Sequence, residues 1–155
     1  PHPKFPIGLL QLAIKVTNEP PKGLKAGLHR TFTTIINQDF MEKIDIDKWR
    51  TITYVICFLH SIVQERRKFG PLGWCVPYEF NNSDLEASLS FLEKHISANT
   101  MPGSSSMNNP INWPTVKYMI TEVQYGGRIT DDLDGKLFKT YGNAYLNDKI
   151  FTPNF

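Results

Sequence analysis

Between Trp49 and Val63 the apolar side chains recur at steps of three and four: Trp49, Ile52, Ile56, Leu59 and Val63. That is the period of an α-helix. Val55, Phe58 and Ile62 widen the stripe until little polar surface is left, so this helix must run through the centre of a body and be covered from several sides. Asp45 or Asp47 is placed to cap its start. Its last turn carries Arg66, Arg67 and Lys68, which complement the helix dipole, and Gly70 followed by Pro71 closes it.

The rest of the chain offers partners with the same period. Leu24, Leu28, Phe32 and Ile35 or Ile36 share one face of a helix that starts after Pro21. Ser83-Asp84-Leu85-Glu86 has the form of a capping box, and behind it Leu85, Leu89, Leu92 and Ile96 make another apolar face. Pro114 opens a further helix with Val116, Ile120 and Val123 directed inward. Thr130 can cap a last helix whose start holds Asp131, Asp132 and Asp134 and whose face is Leu133, Leu137, Tyr141 and Tyr145; Gly135 and Gly142 weaken it. Residues 97–112, with Met101-Pro102-Gly103 and Ser104 to Ser106, read as a flexible loop. The expected fold is mainly α, about five helices with no internal repeat.

Residues 1–21 differ in kind. Ile7 to Leu12 suits a single helical turn and Ile14 to Asn18 a short strand, before Pro20-Pro21 stops both. A lone strand is not stable in water, so its partners are expected outside this chain, and Phe5, Ile7 and Leu9 are expected to lack cover. The chain opens on Pro1 without an initiator methionine, and both ends look cut from a longer polypeptide.

At 155 residues the chain can bury a core without staples. A net charge of +2 gives no reason to expect a polyanion partner, and no apolar run reaches the length of a membrane helix. The two cysteines, Cys57 and Cys75, sit in apolar settings that suggest reduced thiols and an intracellular protein. The sequence carries no recognisable catalytic signature. Gly70-Pro71-Leu72-Gly73 lacks the lysine and the preceding strand of a phosphate loop. His2, His29, His60 and His95 fall in no recognisable triad signature. Cys57 and His60 share a helix face, but no second pair of ligands matches them, so a buried thiol beside a hydrogen-bonded imidazole is the better reading. Asp132-Leu133-Asp134-Gly135 resembles part of a calcium loop, yet its twelfth position is Tyr141 where a glutamate is required. No metal, cofactor or nucleic acid is expected. Glu65-Arg66-Arg67-Lys68 reads as a solvated or internally paired helix end.

Two segments stand apart. Residues 70–82 carry Trp74, Tyr78 and Phe80 in an irregular stretch, too much aromatic surface for a free loop. They are expected to pack on this domain's core or on a neighbour. Tyr125-Gly126-Gly127-Arg128 presents an arginine after two glycines, either exposed on a tight turn or held to bond a neighbouring module. Trp74, Tyr78, Phe80, Tyr125, Arg128, Asp131 and Asp132 are therefore the interface candidates.

Four motifs carry a resemblance: Asn18 to Ala26 (Asn-Glu-Pro-Pro-Lys-Gly-Leu-Lys-Ala), Gln64 to Trp74 (Gln-Glu-Arg-Arg-Lys-Phe-Gly-Pro-Leu-Gly-Trp), Pro77 to Asn81 (Pro-Tyr-Glu-Phe-Asn) and Tyr125 to Asp132 (Tyr-Gly-Gly-Arg-Ile-Thr-Asp-Asp). Their order and spacing resemble the C-terminal motor region of dynein heavy chains, axonemal in type, over nearly the whole chain. The resemblance implies a place in a ring of six AAA+ modules: residues 1–21 as the tail of the sixth large subdomain, and 22–155 as its helical lid. It also implies a non-catalytic piece of a minus-end-directed microtubule motor, with ATP and magnesium handled in other modules. Its partners would be neighbouring AAA+ modules and the C-terminal domain of the same chain, with dynein subunits and microtubules reached through the parent. It would reside in the cytoplasm, on the cytoskeleton of the ciliary or flagellar axoneme. Asp134-Gly135-Lys136-Leu137 departs from the family's commoner Asp-Arg-Arg-Leu, and residues 103–106 add a serine-rich insert. A freestanding helical adaptor that holds a peptide in a groove is the alternative reading, and an ATP-binding module a further one.

Overall fold

The computed structural model describes residues 6–16, 22–100 and 111–153. Among these the chain is helical and has no β-strand. Seven α-helices run in order: α1 (Ile7–Leu12), α2 (Leu24–Thr34), α3 (Gln38–Glu42), α4 (Asp47–Arg66), α5 (Asn82–Thr100), α6 (Trp113–Tyr118) and α7 (Asp132–Tyr145). A π-turn over Met119–Gln124 prolongs α6, and 3-10 turns cover Arg67–Leu72, Gly126–Arg128 and Asp148–Phe151.

The central helix is α4. Trp49, Ile52, Val55, Ile56, Leu59 and Val63 are buried, and so are the polar Thr53, His60 and Ser61. It packs against α2, α5, α7 and the Asp148–Phe151 turn, so nearly its whole circumference is covered. Its start departs from expectation. The capping position is Ile46, which has no side-chain bond to give, and neither Asp45 nor Asp47 caps the helix. What anchors that end is Trp49, fully buried, with its indole N–H donating to the Phe40 carbonyl at 3.3 Å.

Around α4 the sequence pattern holds with informative shifts. On α2 the most deeply buried residues are Gly27 and Thr31, while Leu28, Phe32 and Ile35 flank the core. Gly27 is what lets α2 close on α4: a Cβ there would lie 3.2 Å from Ser61 Oγ. The first turn of α5 is fixed two residues earlier than the expected box. The Asn81 N–H donates to Asp84 Oδ2 (2.9 Å) and the Asp84 N–H to Asn81 Oδ1 (3.3 Å), a reciprocal pair that replaces the one expected of Ser83 and Glu86. Leu85, Leu89, Leu92 and Ile96 are buried as their spacing predicts. The π-turn turns Val123 outward, correcting the expectation that it faces the core, because one extra residue per turn shifts the register of the apolar face. Asp131, not Thr130, caps α7 by accepting from the Leu133 and Asp134 amides. The buried face of α7 is Asp134, Phe138 and Gly142, and Leu133 is exposed.

The lead-in is a helical turn at α1, as expected, followed by extended backbone from Ala13. No ladder forms over Ile14 to Val16, and the rest of the expected strand lies outside the described residues. Ile7, Leu12, Ile14 and Val16 are exposed, Leu12 by 91%. The proposed loop at 97–112 is helical to Thr100, and its serine-rich part lies outside the described residues.

Candidate interface site

Three of the four sequence motifs meet in one place. The chain leaves α4 through a 3-10 turn in which Gly70 takes a positive φ of 54°. Gly73 then passes so close to α4 that a Cβ would lie 1.7 Å from the Arg66 carbonyl oxygen. This reversal lays Trp74, Tyr78 and Phe80 back over the core. Trp74 is only 2% exposed, and Tyr78 and Phe80 are also buried. The Trp74 ring meets Tyr78, Phe80 and Phe138, and Phe80 meets Tyr125.

Buried polar groups tie this aromatic segment to the helices. The Trp74 indole donates to the Val63 carbonyl (2.9 Å), and the Gln64 side-chain amide donates to the Phe80 carbonyl (2.9 Å). Asp134, at the start of α7, accepts from the Cys75 amide at 2.9 and 3.1 Å and from the Val76 amide at 3.3 Å. The Tyr78 hydroxyl accepts from the Asp131 amide (3.0 Å). Every one of these bonds crosses between elements, so the segment is a seam rather than a loop.

Arg66 is the clasp. Its Nε and one Nη donate to the Gly73 carbonyl at 3.0 and 2.6 Å, and the other Nη donates to the Tyr141 hydroxyl at 2.6 Å. The guanidinium lies over both the Trp74 and Tyr141 rings, 5.3 and 5.4 Å from their centroids. Only arginine combines a planar fork of donors with two stacking faces. Its neighbours pair within the chain: Arg67 with Glu79 (3.0 Å) and Lys68 with Glu65 (2.5 Å). Glu65 also accepts from the Gly23 amide (2.9 Å), which joins the described end of the remaining motif to the same helix end.

On the far side of the seam lies a second polar chain. His60 Nδ1 is 2.9 Å from the Tyr125 hydroxyl, and both residues are buried. Burial pushes the imidazole down to about 4 against the opposing charge of Asp84, and burial first, then Asp84, raises the Tyr125 phenol well above its ordinary range. Asp84 is held by Arg128, whose Nε and one Nη approach Oδ1 at 2.8 and 2.7 Å. Gly126 is required nearby, since a Cβ there would lie 1.9 Å from the Thr121 carbonyl oxygen.

The interface candidates thus divide. Trp74, Tyr78, Phe80 and Tyr125 are placed in the chain's own core, where their side chains are covered. Arg128 bonds Asp84 of this chain while remaining partly exposed, Asp131 caps α7, and Asp132 is exposed beside it. Sequence reasoning missed Arg66 and Asp134 as organisers of the site, whereas His60 was expected as a buried, hydrogen-bonded imidazole and is one, with Tyr125 as its partner. Arg66 was visible only as one of a run of cations, and what sets it apart is the paired Trp74 and Tyr141 rings, distant in sequence.

Cys75, Asp131 and Asp134 place their ligand atoms within 4.8 Å of one another. Both carboxylates already accept backbone amides, so the group caps and staples α7. The Cys75 thiol is raised above its ordinary range, first by its hydrogen bond to Asp134, which makes it a poor nucleophile. Burial pushes the Cys57 thiol up to about 12. Both thiols are free. A groove of about 490 Å³ runs between α2, α4 and the aromatic segment, lined by Gly27, Ser61, Gln64, Arg67, Tyr78 and Phe80. No helix among the described residues is long and apolar enough to cross a membrane.

The described chain is a helical body folded round one buried helix and closed by an aromatic seam, and the family match over residues 49–155 makes it a helical lid domain of the AAA type. Residues 49–155 match the family described as the dynein heavy chain AAA lid domain, and the chain belongs to that family. It is similar to dynein axonemal heavy chain 8 of Mus musculus, 49% identical over 155 residues, and of Homo sapiens, 48% identical over the same length. It is equally similar to the dynein gamma chain, flagellar outer arm, of Chlamydomonas reinhardtii, at 48% over 155 residues. Each match takes in 100% of this chain and 3% of the relative, so the chain spans a small part of the proteins it matches.

Proposed function

We propose that this chain is a non-catalytic lid of an axonemal dynein heavy chain, a stiff helical body that packs between ring modules and passes on the shifts driven by ATP turnover elsewhere in the same polypeptide. The observation that carries the reading is the convergence of the motifs on a single seam. Their residues are used to join α4, the aromatic segment and α7 into one body, which is what a part that transmits rigid-body motion requires. Trp74, Tyr78, Phe80 and Tyr125 would serve the interface from behind, by stiffening it. The side chains that would meet neighbours are the exposed Phe69, Leu72, Leu133, Arg128 and Asp132 (Leu72 is 89% exposed). On this reading residues 1–21 belong to the preceding large subdomain, which would cover the exposed Ile7, Leu9 and Leu12 of α1. Nucleotide and magnesium would be held by other modules, and the setting would be the axoneme of a cilium or flagellum.

The test is Arg66→Ala in a full-length heavy chain carrying this sequence. With the clasp removed, ATP turnover is expected to continue while microtubule gliding slows, because chemistry and motion lose their coupling. If Arg66→Ala and Trp74→Ala both leave turnover and gliding unchanged in a folded motor, the lid does not transmit force and the reading falls.

A further inference from the structure

Where the end of α2 and the short α3 meet α5, the surface dips into a pocket of about 170 Å³. Its walls are apolar: Ile35 and Ile36 follow α2, Phe40 comes from α3 and Leu89 from α5. Its rim is Glu86, Ser90 and Glu93, which the helical period sets on one face of α5. Pockets that hold a small organic ligand run to about 300–1,000 Å³, so this one is of a size for a single side chain.

The Glu93 end already holds a cation. The Lys43 ammonium is 3.0 Å from Glu93 Oε1 and lies over the Phe40 ring, 5.5 Å from its centroid. At the Glu86 end the same setting recurs without one. Glu86 stands two turns earlier on α5, about 10 Å away along the axis, too far for Lys43 to serve both. Neither Glu86 nor Ser90 makes a hydrogen bond or ion pair among the described residues. Arg30 lines the adjoining cleft on the other side of Ile35, not this pocket.

Charge and shape together decide what fits. Two rim carboxylates against one ammonium leave one negative charge in excess, and the unbonded side-chain groups are a carboxylate and a hydroxyl, which accept. An acidic side chain would meet that excess. An apolar one would cover Glu86 and leave its charge without a partner. A lysine or arginine answers both halves, with its methylene stem on the apolar walls and its charged head on Glu86.

We infer that this pocket docks a lysine or arginine side chain presented by a protein segment outside these 155 residues. The inference rests on the reading of the chain as a lid packed between modules, and it names one contact of that packing.

Ala87, exposed beside Glu86, is replaced by the photoreactive p-benzoylphenylalanine in a full-length heavy chain, and the cross-linked peptide is mapped by mass spectrometry. The expected adduct lies on an outside segment that carries a lysine or arginine. Glu86→Lys is expected to lower its yield about tenfold, the effect of losing a hydrogen bond between charged groups. Exchanging the mapped basic residue for glutamate in the same molecule is expected to restore the yield, which also shows that the motor has folded. Ser90→Phe, which fills the pocket from its own helix without changing charge, is expected to lower the yield as much. A yield that either substitution leaves unchanged, a charge exchange that restores nothing, or an adduct on a segment without a basic residue overturns the inference. A photoreactive group at the exposed Leu72 separates the two failures. Cross-links from Leu72 with none from Ala87 remove the docking pocket and leave the packed lid standing, whereas cross-links from neither remove both.

Discussion

Glycine has opposite meanings at two places on α7. At Gly142 a Cβ would lie 2.3 Å from Thr121 Cγ2, so α7 packs tightly on the π-turn there. Gly142→Ala is expected to destabilise the chain by about 1–3 kcal/mol through overpacking. At Gly135 nothing lies within 4 Å, so Gly135→Ala is expected to stabilise it by about 0.5–1 kcal/mol through helix propensity alone. Urea unfolding of the two variants measures both, and equal effects would mean that α7 does not sit on Thr121 as described. The sequence marks both glycines only as helix weakeners; which of them is a contact depends on a partner in another element.

His60 adds a dependence on pH. Its folded value is lowered to about 4 from an ordinary 6.5, so between these limits the unfolded chain binds the proton and the folded chain does not. Stability from this group is complete above pH 6.5 and is lost as pH falls towards 4, a change of about 3 kcal/mol at most. His60→Gln is expected to flatten the stability profile in that window. A profile as steep as that of the parent chain would place the imidazole in water instead.

Among the elements, the long helices were legible because each has an apolar face repeated over several turns. What the periodicity could not show are the places where side chains override it. The cap of α5 moves to Asn81 and Asp84 because Asp84 is needed by Arg128. The cap of α7 moves to Asp131 because Asp134 must turn inward to receive two amides of the aromatic segment. A five-residue helix such as α3 is too short for a period, and its one local signal is Asn37, whose side chain accepts from the Phe40 amide. Trp113 is held by Asp148 (2.8 Å) in a C-terminal turn with no pattern of its own. The inward turn of Asp134 has a measurable result. Asp134→Ala is expected to cost about 1–3 kcal/mol, since the Cys75 and Val76 amides lose a charged, buried acceptor, and to speed hydrogen exchange first at Cys75 and Val76. Fast exchange confined to Leu133 would show that the residue acts only within its own helix.

For the molecule as a whole, burial sets residues 6–16, the described part of the lead-in, apart from the helical body. Ile7, Leu9, Leu12, Ile14 and Val16, from α1 and the extended stretch after it, are exposed and lie outside the core. Removing residues 1–21 is expected to leave the unfolding free energy within about 0.5 kcal/mol of the parent's while reducing aggregation. A large loss of stability would instead place the lead-in against the body. Aromatic residues in an irregular segment were legible as something packed, and the four motifs as something specific. That the motifs would spend their aromatic rings inward was not legible, because only the folded chain brings Arg66, Trp74 and Tyr141 together.

The central claim is that the aromatic seam is part of the same cooperative body as α4. Native-state hydrogen exchange compares the two directly. The account predicts that the amides of Trp74, Cys75 and Val76 exchange with the same opening free energy as those of Ile56 to Leu59, through unfolding of the whole body. Exchange at the seam on the order of a hundredfold faster than in α4, through a local opening, would contradict it and leave the lid a helical core with a loose strap.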